Sequence, residues 1–310
     1  MVDRAAKTFF HLLAQSGTLK HLAARYGMRK PTSFARRFIA GETIDEAIVA
    51  ARAVEQQGFL QTLDFLGEGV TSLAEADAAT RDYLRIIEAI VTAGIGRNLS
   101  LKLTQLGLDV DRASAVDNLR RILDRAEGFF VRIDMESSQY TDLTLEIFET
   151  LWRHRYHHMG VVLQADLYRT EQDVRRIIPL GARIRLVKGA YKEPKTVAYQ
   201  DKAEVDRAYV RLMRVLLTES TYPAIATHDP AMLDATRQFA TEQNIGRDRF
   251  EFQMLYGIRR DLQAALVRDG YHVRVYIPFG RQWFPYFMRR LGERPANVGF
   301  VLRGIFADRT

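Results

Sequence analysis

The sequence of 310 residues contains no cysteine. That removes disulfide scaffolds and every metal or iron–sulfur site that needs thiolate ligands. It also suits a reducing compartment, so the expected location is the cytoplasm. Long apolar runs are lacking as well. The most apolar stretch, IIEAIVTAGIG from Ile86, is broken by Glu88 and falls short of the ~20 residues of a bilayer span. The N-terminus, MVDRAAKTFFHLLAQSG, carries Asp3, Arg4 and Lys7 and has no apolar segment of secretory length. Phosphate-cradling glycine patterns are missing too. GIGRNL at Gly94 lacks the third glycine of the dinucleotide fingerprint and follows a predicted helix rather than a strand. There is no Walker A loop and no G-x-S-x-G elbow. His154 and His158 fall one turn apart on a predicted helix with His157 beside them. The zincin pattern needs Glu where Arg155 stands, so the reading is a solvated helix end and no metal site.

What is present is the composition of an ordinary globular protein, 47% hydrophobic and 27% charged. A compact chain of this length hides about 75% of its unfolded surface, enough for a full core. The 45 basic side chains exceed the 38 acidic ones by seven. All of that excess lies in residues 1–40, where Arg4, Lys7, Lys20, Arg25, Arg29, Lys30, Arg36 and Arg37 face only Asp3. The remainder is neutral, so the body of the chain gives no support to a nucleic-acid partner.

From residue 58 onward, runs rich in Val, Ile, Leu, Phe and Tyr recur at Phe59, Leu99, Phe129, Met159, Arg183, Tyr222, Phe250 and His272. They read as buried parallel strands. Amphipathic stretches with helix signals separate them: capping boxes at Thr43/Glu46 and Ser72/Glu75, a start at Ser114, and Asp229-Pro230 opening another. Eight such alternations over ~250 residues predict an α/β fold, a distorted (β/α)8 TIM-type barrel. An open doubly wound sheet would want fewer strands and a glycine-rich first turn. The expected division is a helical arm over 1–57 and a catalytic barrel over 58–310.

Chemistry in such a barrel sits at the C-terminal strand ends. Those ends offer Glu68, Lys102, Asp134-Met135, Gln164, Arg185 through Tyr191, Thr227-His228 and Tyr276, and a final helix adds Tyr286, Arg289 and Arg290. Lys102, Arg185, Lys188, Arg289 and Arg290 outnumber Asp134 and Glu68, a mouth that invites an anion. Paired arginines suit a carboxylate or phosphate through fork-shaped bonds. Tyr191, Tyr276, Tyr286 and Leu186 would wall an apolar pocket beside it. A Schiff-base aldolase using Lys102 or Lys188 is the rival enzyme on this fold.

The runs RIRLVKGAY, ATHD, VRIDME and SLKLTQLG, and above all YFMRRLGERP, resemble the flavin-dependent proline dehydrogenases of the monofunctional bacterial type. The resemblance implies oxidation of L-proline to 1-pyrroline-5-carboxylate by hydride transfer to N5 of FAD, with electrons passed on to membrane quinone. It implies peripheral contact at the inner face of the membrane. Carried over by position, Asp134 and Arg185 are the expected catalytic residues. Lys102, Arg289 and Arg290 would hold the proline carboxylate, with Leu186, Tyr191, Tyr276 and Tyr286 on its ring. Met135, Gln164, Arg185, Val187, Lys188, Gly189, Ala190, Thr227 and His228 would contact the flavin. Glu68 would gate the pocket by pairing with the first arginine of the final helix.

Overall fold

The computed structural model describes Met28 and residues 33–67 and 69–293, with the side chains of Phe34, Arg289 and residues 291–293 left out. Glu68 and most of the basic segment 1–40 therefore lie outside the described residues. In chain order the regular elements are α1 (Ile44–Glu55), β1 (Leu60–Phe65), α2 (Leu73–Ala93), β2 (Asn98–Leu101) and α3 (Arg112–Arg125). They continue with β3 (Phe130–Ile133), α4 (Thr141–His154), β4 (Met159–Gln164), α5 (Thr170–Ile177) and β5 (Arg183–Val187). The last are α6 (Lys202–Glu219), β6 (Ala224–Ala226), α7 (Pro230–Glu242), β7 (Glu251–Leu255), α8 (Arg260–Arg268), β8 (His272–Phe279) and α9 (Trp283–Glu293).

The strands close in sequence order into one parallel barrel, with β8 returning to β1 along a register from Leu60↔Arg274 to Phe65↔Phe279. This is the (β/α)8 architecture that the alternation predicts. Local signals explain most helix starts. Thr43 and Glu46 form a reciprocal capping box on α1, and Asp229 caps α7 ahead of Pro230. At α2, Ser72 accepts the Glu75 amide, but the Glu75 carboxylate turns to the Thr71 amide at 2.7 Å and the box stays half made. At α3 the cap is Asp111, whose carboxylate takes the Ser114 amide at 2.7 Å, so the helix opens before Ser114. The chain leaves helical geometry at Arg155, which places His157 and His158 beyond α4 rather than on it. His157 meets the edge of Trp152, and the His158 ring sits 3.1 Å from the Leu123 carbonyl.

One departure from the regular pattern builds the site. The buried face of α1 (Ala47, Ile48, Ala50, Ala51, Val54) belongs to the main core and packs on β1 and β8. The expected division had assigned this helix to the arm. The final helix α9 belongs to a separate cluster, where Trp283, Phe284, Tyr286, Phe287 and Met288 pack with Phe38, Ile39, Leu66 and Ile258. Leu66 and Ile258 follow the C-terminal ends of β1 and β7, so α9 lies at the mouth instead of on the outer wall. Trp283 Nε1 donates to Glu42 at 3.0 Å, tying α9 to the segment before α1. Gly257 makes the approach of that segment possible: at φ +74°, a Cβ there would sit 1.7 Å from the Arg37 carbonyl oxygen.

Candidate active site at the barrel mouth

Side chains alternate between the two faces of a strand. In six of the eight strands one face carries polar residues: Thr62 and Asp64, Asn98 and Ser100, Arg132, Arg183 and Arg185, Glu251 and Gln253, Arg274 and Tyr276. Most of these side chains are buried, and they give the barrel a charged interior where bulky aliphatic layers are usual. They are wired together. Arg274 grips Glu251 in a fork, Nε and Nη2 lying 2.8 and 2.9 Å from its two oxygens. Gln253 donates to Glu251 and accepts from Arg185 Nε. Arg185 reaches Ser100 Oγ at 3.1 Å and Asp134 Oδ1 at 2.7 Å.

Asp134 is the hub. Its Oδ2 accepts the Tyr276 hydroxyl at 2.7 Å and lies 3.8 Å from Lys102 Nζ. The Arg185 guanidinium also stacks over the Tyr276 ring at 5.2 Å, a cation–π contact. Burial, reinforced by the Asp134 charge, pushes the Tyr276 phenol well above its ordinary range, so it stays a hydrogen-bond donor. Lys102 stands nearer a second carboxylate, Asp64 at 3.3 Å. Burial raises the Asp64 carboxyl; the Lys102 charge opposes that rise and the Asp134 charge adds to it.

Four expected site residues, Lys102, Asp134, Arg185 and Tyr276, thus meet in one cluster. The surplus of mouth cations is smaller than the count of basic residues implies, because Lys102 and Arg185 are ion-paired and Lys188 sits between Asp206 and Asp229. That pairing removes the support for the aldolase reading, which needs an amine free of its proton. Tyr286 and Arg290 come together on α9, guanidinium over ring at 5.2 Å. Tyr191 is half-buried in the loop after β5. Leu186 has no exposed surface and alternates with Arg185, which puts it in the main core on the opposite face of β5. The expected roles of Glu68 and of the Arg289 side chain fall outside the described residues.

A second group follows β4, β5 and β6. Gln164 donates to the Glu136 carbonyl at 3.0 Å, and Met135 is buried nearby in sequence and core. Val187 and Lys188 are half-buried, and Ala190 is exposed. Gly189 adopts φ +114°, and a Cβ there would lie 2.0 Å from Asp166 Oδ2, so only glycine fits. Thr227 Oγ1 accepts the Asp229 amide at 3.1 Å. His228 Nε2 accepts the Leu255 amide at 2.8 Å, which leaves the hydrogen of the neutral ring on Nδ1.

Residues 47–303 match the sequence profile of the family described as proline dehydrogenase. Proline dehydrogenase 2 of Bacillus subtilis (strain 168) is 42% identical over 301 residues, 96% of this chain and 98% of that protein. The chain belongs to the proline dehydrogenase family. The proline dehydrogenase of Deinococcus radiodurans is 42% identical over 311 residues, 98% of this chain and 99% of that one. The crystal structure of proline utilization A from Bdellovibrio bacteriovorus, inactivated by N-propargylglycine, superposes with a TM-score of 0.79 at 29% identity. That match covers 89% of this chain, which spans about a third (34%) of the length of the solved one.

Proline dehydrogenases are oxidoreductases and flavin-dependent as a family. The second group has the chemistry for such a cofactor. An ammonium, a hydroxyl, an imidazole N–H donor and an amide line one side of the mouth, and Gly189 keeps the β5 loop close to β4. Hydrogen-bond donors of this kind suit a ring system with carbonyls. No helix among the described residues is long and apolar enough to cross a membrane.

Proposed function

We propose that this chain oxidises L-proline to 1-pyrroline-5-carboxylate at the Asp134 hub, with FAD as its flavin and membrane quinone as the final electron acceptor. The observation that carries the reading is the cluster in which Asp134 joins Arg185, Tyr276 and Lys102 at the C-terminal mouth of a proline dehydrogenase barrel. The residues on the flavin side would hold FAD, which would supply the hydride acceptor. Lys102, with Arg290, takes the substrate carboxylate; the same part expected of the Arg289 side chain lies outside the described residues. Tyr276, Tyr286 and Tyr191 pack on the ring, and Leu186 supports the β5 end from the core side. Arg185 is fixed by Asp134, Ser100 and Gln253, which would hold its guanidinium ready to orient the substrate. Met135, Gln164, Val187, Lys188, Gly189, Ala190, Thr227 and His228 form the flavin side, and the gating part expected of Glu68 lies outside the described residues.

The product has its C=N bond at the ring carbon away from the carboxylate. Clamping the carboxylate therefore presents that far carbon for hydride loss. Orientation of this kind is worth ~7–11 kcal/mol in well-aligned systems. The substrate nitrogen has to shed its proton as the hydride leaves. Delivery of electrons to a quinone brings the enzyme to a membrane surface. The basic segment 1–40, most of it outside the described residues, supplies charge for anionic lipid at up to about 1 kcal/mol per residue near the surface.

The purified protein should be yellow and should bleach when L-proline is added without oxygen. Denaturation should release FAD rather than FMN. A colourless protein that stays inert with added FAD would refute the reading. Liposome co-sedimentation of full-length and arm-deleted protein tests the lipid contact, and equal binding by both ends it.

A further inference from the structure

Asp64 stands outside every role expected from the sequence, yet it is the most deeply buried carboxylate at the mouth, with no exposed surface. It sits near the end of β1, where the register Asp64↔Ser100 brings it level with the strand that leads into Lys102. Its Oδ1 accepts from Lys102 Nζ at 3.3 Å, closer than Asp134 at 3.8 Å. Asp134 is already committed to Arg185 and Tyr276, each at 2.7 Å. Lys102 is itself almost fully buried. An ammonium taken out of water keeps its proton only beside an opposite charge; without one, buried lysines have been driven down to pKa values of about 5–6.

We propose that Asp64 is the positioning residue for substrate recognition, holding Lys102 in place and in its charged form so that it can take the substrate carboxylate. This rests on the reading of Lys102 as a carboxylate ligand. The dependence is mutual, since the ammonium in turn draws the buried Asp64 toward its ionised form. Among the described residues, the groups facing the pair are Asp134 after β3, Arg185 on β5, Tyr276 on β8 and Tyr83 on α2, with Glu136 next in range. Tyr83 and Tyr276 are both pushed well above the ordinary phenol range by burial, so neither supplies a charge. Arg185 and Asp134 cancel each other. Among these groups Asp64 is the carboxylate nearest Lys102, and the balance there turns chiefly on it.

The test uses flavin-loaded protein and cyclopentanecarboxylate, a ring carboxylate without the amine, whose own charge is constant above about pH 6 because carboxyls titrate near 4. Its dissociation constant is measured by calorimetry between about pH 6 and pH 9, alongside the proline KM and kcat. Wild-type affinity should stay flat. In Asp64→Asn it should fall about tenfold or more toward the alkaline end, because a buried lysine that has lost its nearest carboxylate gives up its proton more readily. The proline KM should follow the same course while kcat changes less. Asp64→Glu, which keeps the charge, should restore the flat profile, and Asp64→Ser replaces Asp64→Asn if the latter does not yield loaded protein. Lys102→Met should bind weakly at every pH. A neutral Asp64 variant that tracks wild type across the range overturns the role of Asp64. A wild-type profile that falls in parallel with the variant does the same. If Lys102→Met binds like wild type, the reading of Lys102 as the ligand is what fails.

Discussion

Replacing Asp134 by Asn keeps the shape of the hub and removes its charge. Arg185, 5% exposed, then loses a counter-ion held at 2.7 Å, and the Tyr276 hydroxyl loses a charged acceptor. Breaking a buried ion pair at one end costs about 3–5 kcal/mol, because the remaining charge is left desolvated. Relief of the repulsion that Asp134 exerts on Asp64 returns part of that cost, so the lower bound is the better expectation. About 3 kcal/mol is roughly a 150-fold shift in the unfolding equilibrium. Urea unfolding followed by far-UV circular dichroism reads it as a lower midpoint at unchanged slope. Turnover with L-proline and an artificial acceptor should fall further than stability does, since on the proposed reading Arg185 also orients the substrate. A variant within about 0.5 kcal/mol of wild type, the range of ordinary surface changes, would refute the account of Asp134 as hub.

Other perturbations separate the parts of the site. Glu251→Gln breaks the fork with Arg274 well below the chemistry and should destabilise by about 3 kcal/mol or more while sparing the KM of what folds. Burial opposes ionisation of Glu251, but Arg274 outweighs it and the carboxyl lies below its usual range. The stability this adds is complete above the ordinary glutamate range and is lost as pH falls through the lowered value; acid melts of wild type should show that loss and those of Glu251→Gln should not. Gly189→Ala drives a methyl into Asp166 and should lower the flavin-to-protein absorbance ratio of purified protein more than its folding stability. Trp283→Ala removes the anchor between α9 and Glu42 and should raise the proline KM several-fold, read in the same acceptor assay.

The chain encodes its barrel locally. Eight β-rich runs, the Thr43/Glu46 box and the Asp229-Pro230 start are short-range signals, and each recurs in the structure because buried strands and helix caps need only their neighbours. Lys102, Asp134, Arg185 and Tyr276 were legible as well, since they stand at or next to strand ends, where a barrel gathers its chemistry. Asp64 and Gln253 carried a signal that attention to apolar runs passes over: polar residues at alternate positions, Thr62 and Asp64 or Glu251 and Gln253, mark the face that turns into the barrel.

Pairing and placement are another matter. Which carboxylate meets Lys102 depends on the register between β1, β2 and β3, and nothing in SLKLTQLG specifies Asp64, which is 38 residues away. The same holds for Lys188, whose cation looks available in the sequence until Asp206 and Asp229 close on it from α6 and the start of α7. The excursion of α9 to the mouth, with α1 on the wall at β1 and β8, is equally a tertiary decision. The amphipathic pattern of a helix says that one face must be buried; only the packed molecule says against what.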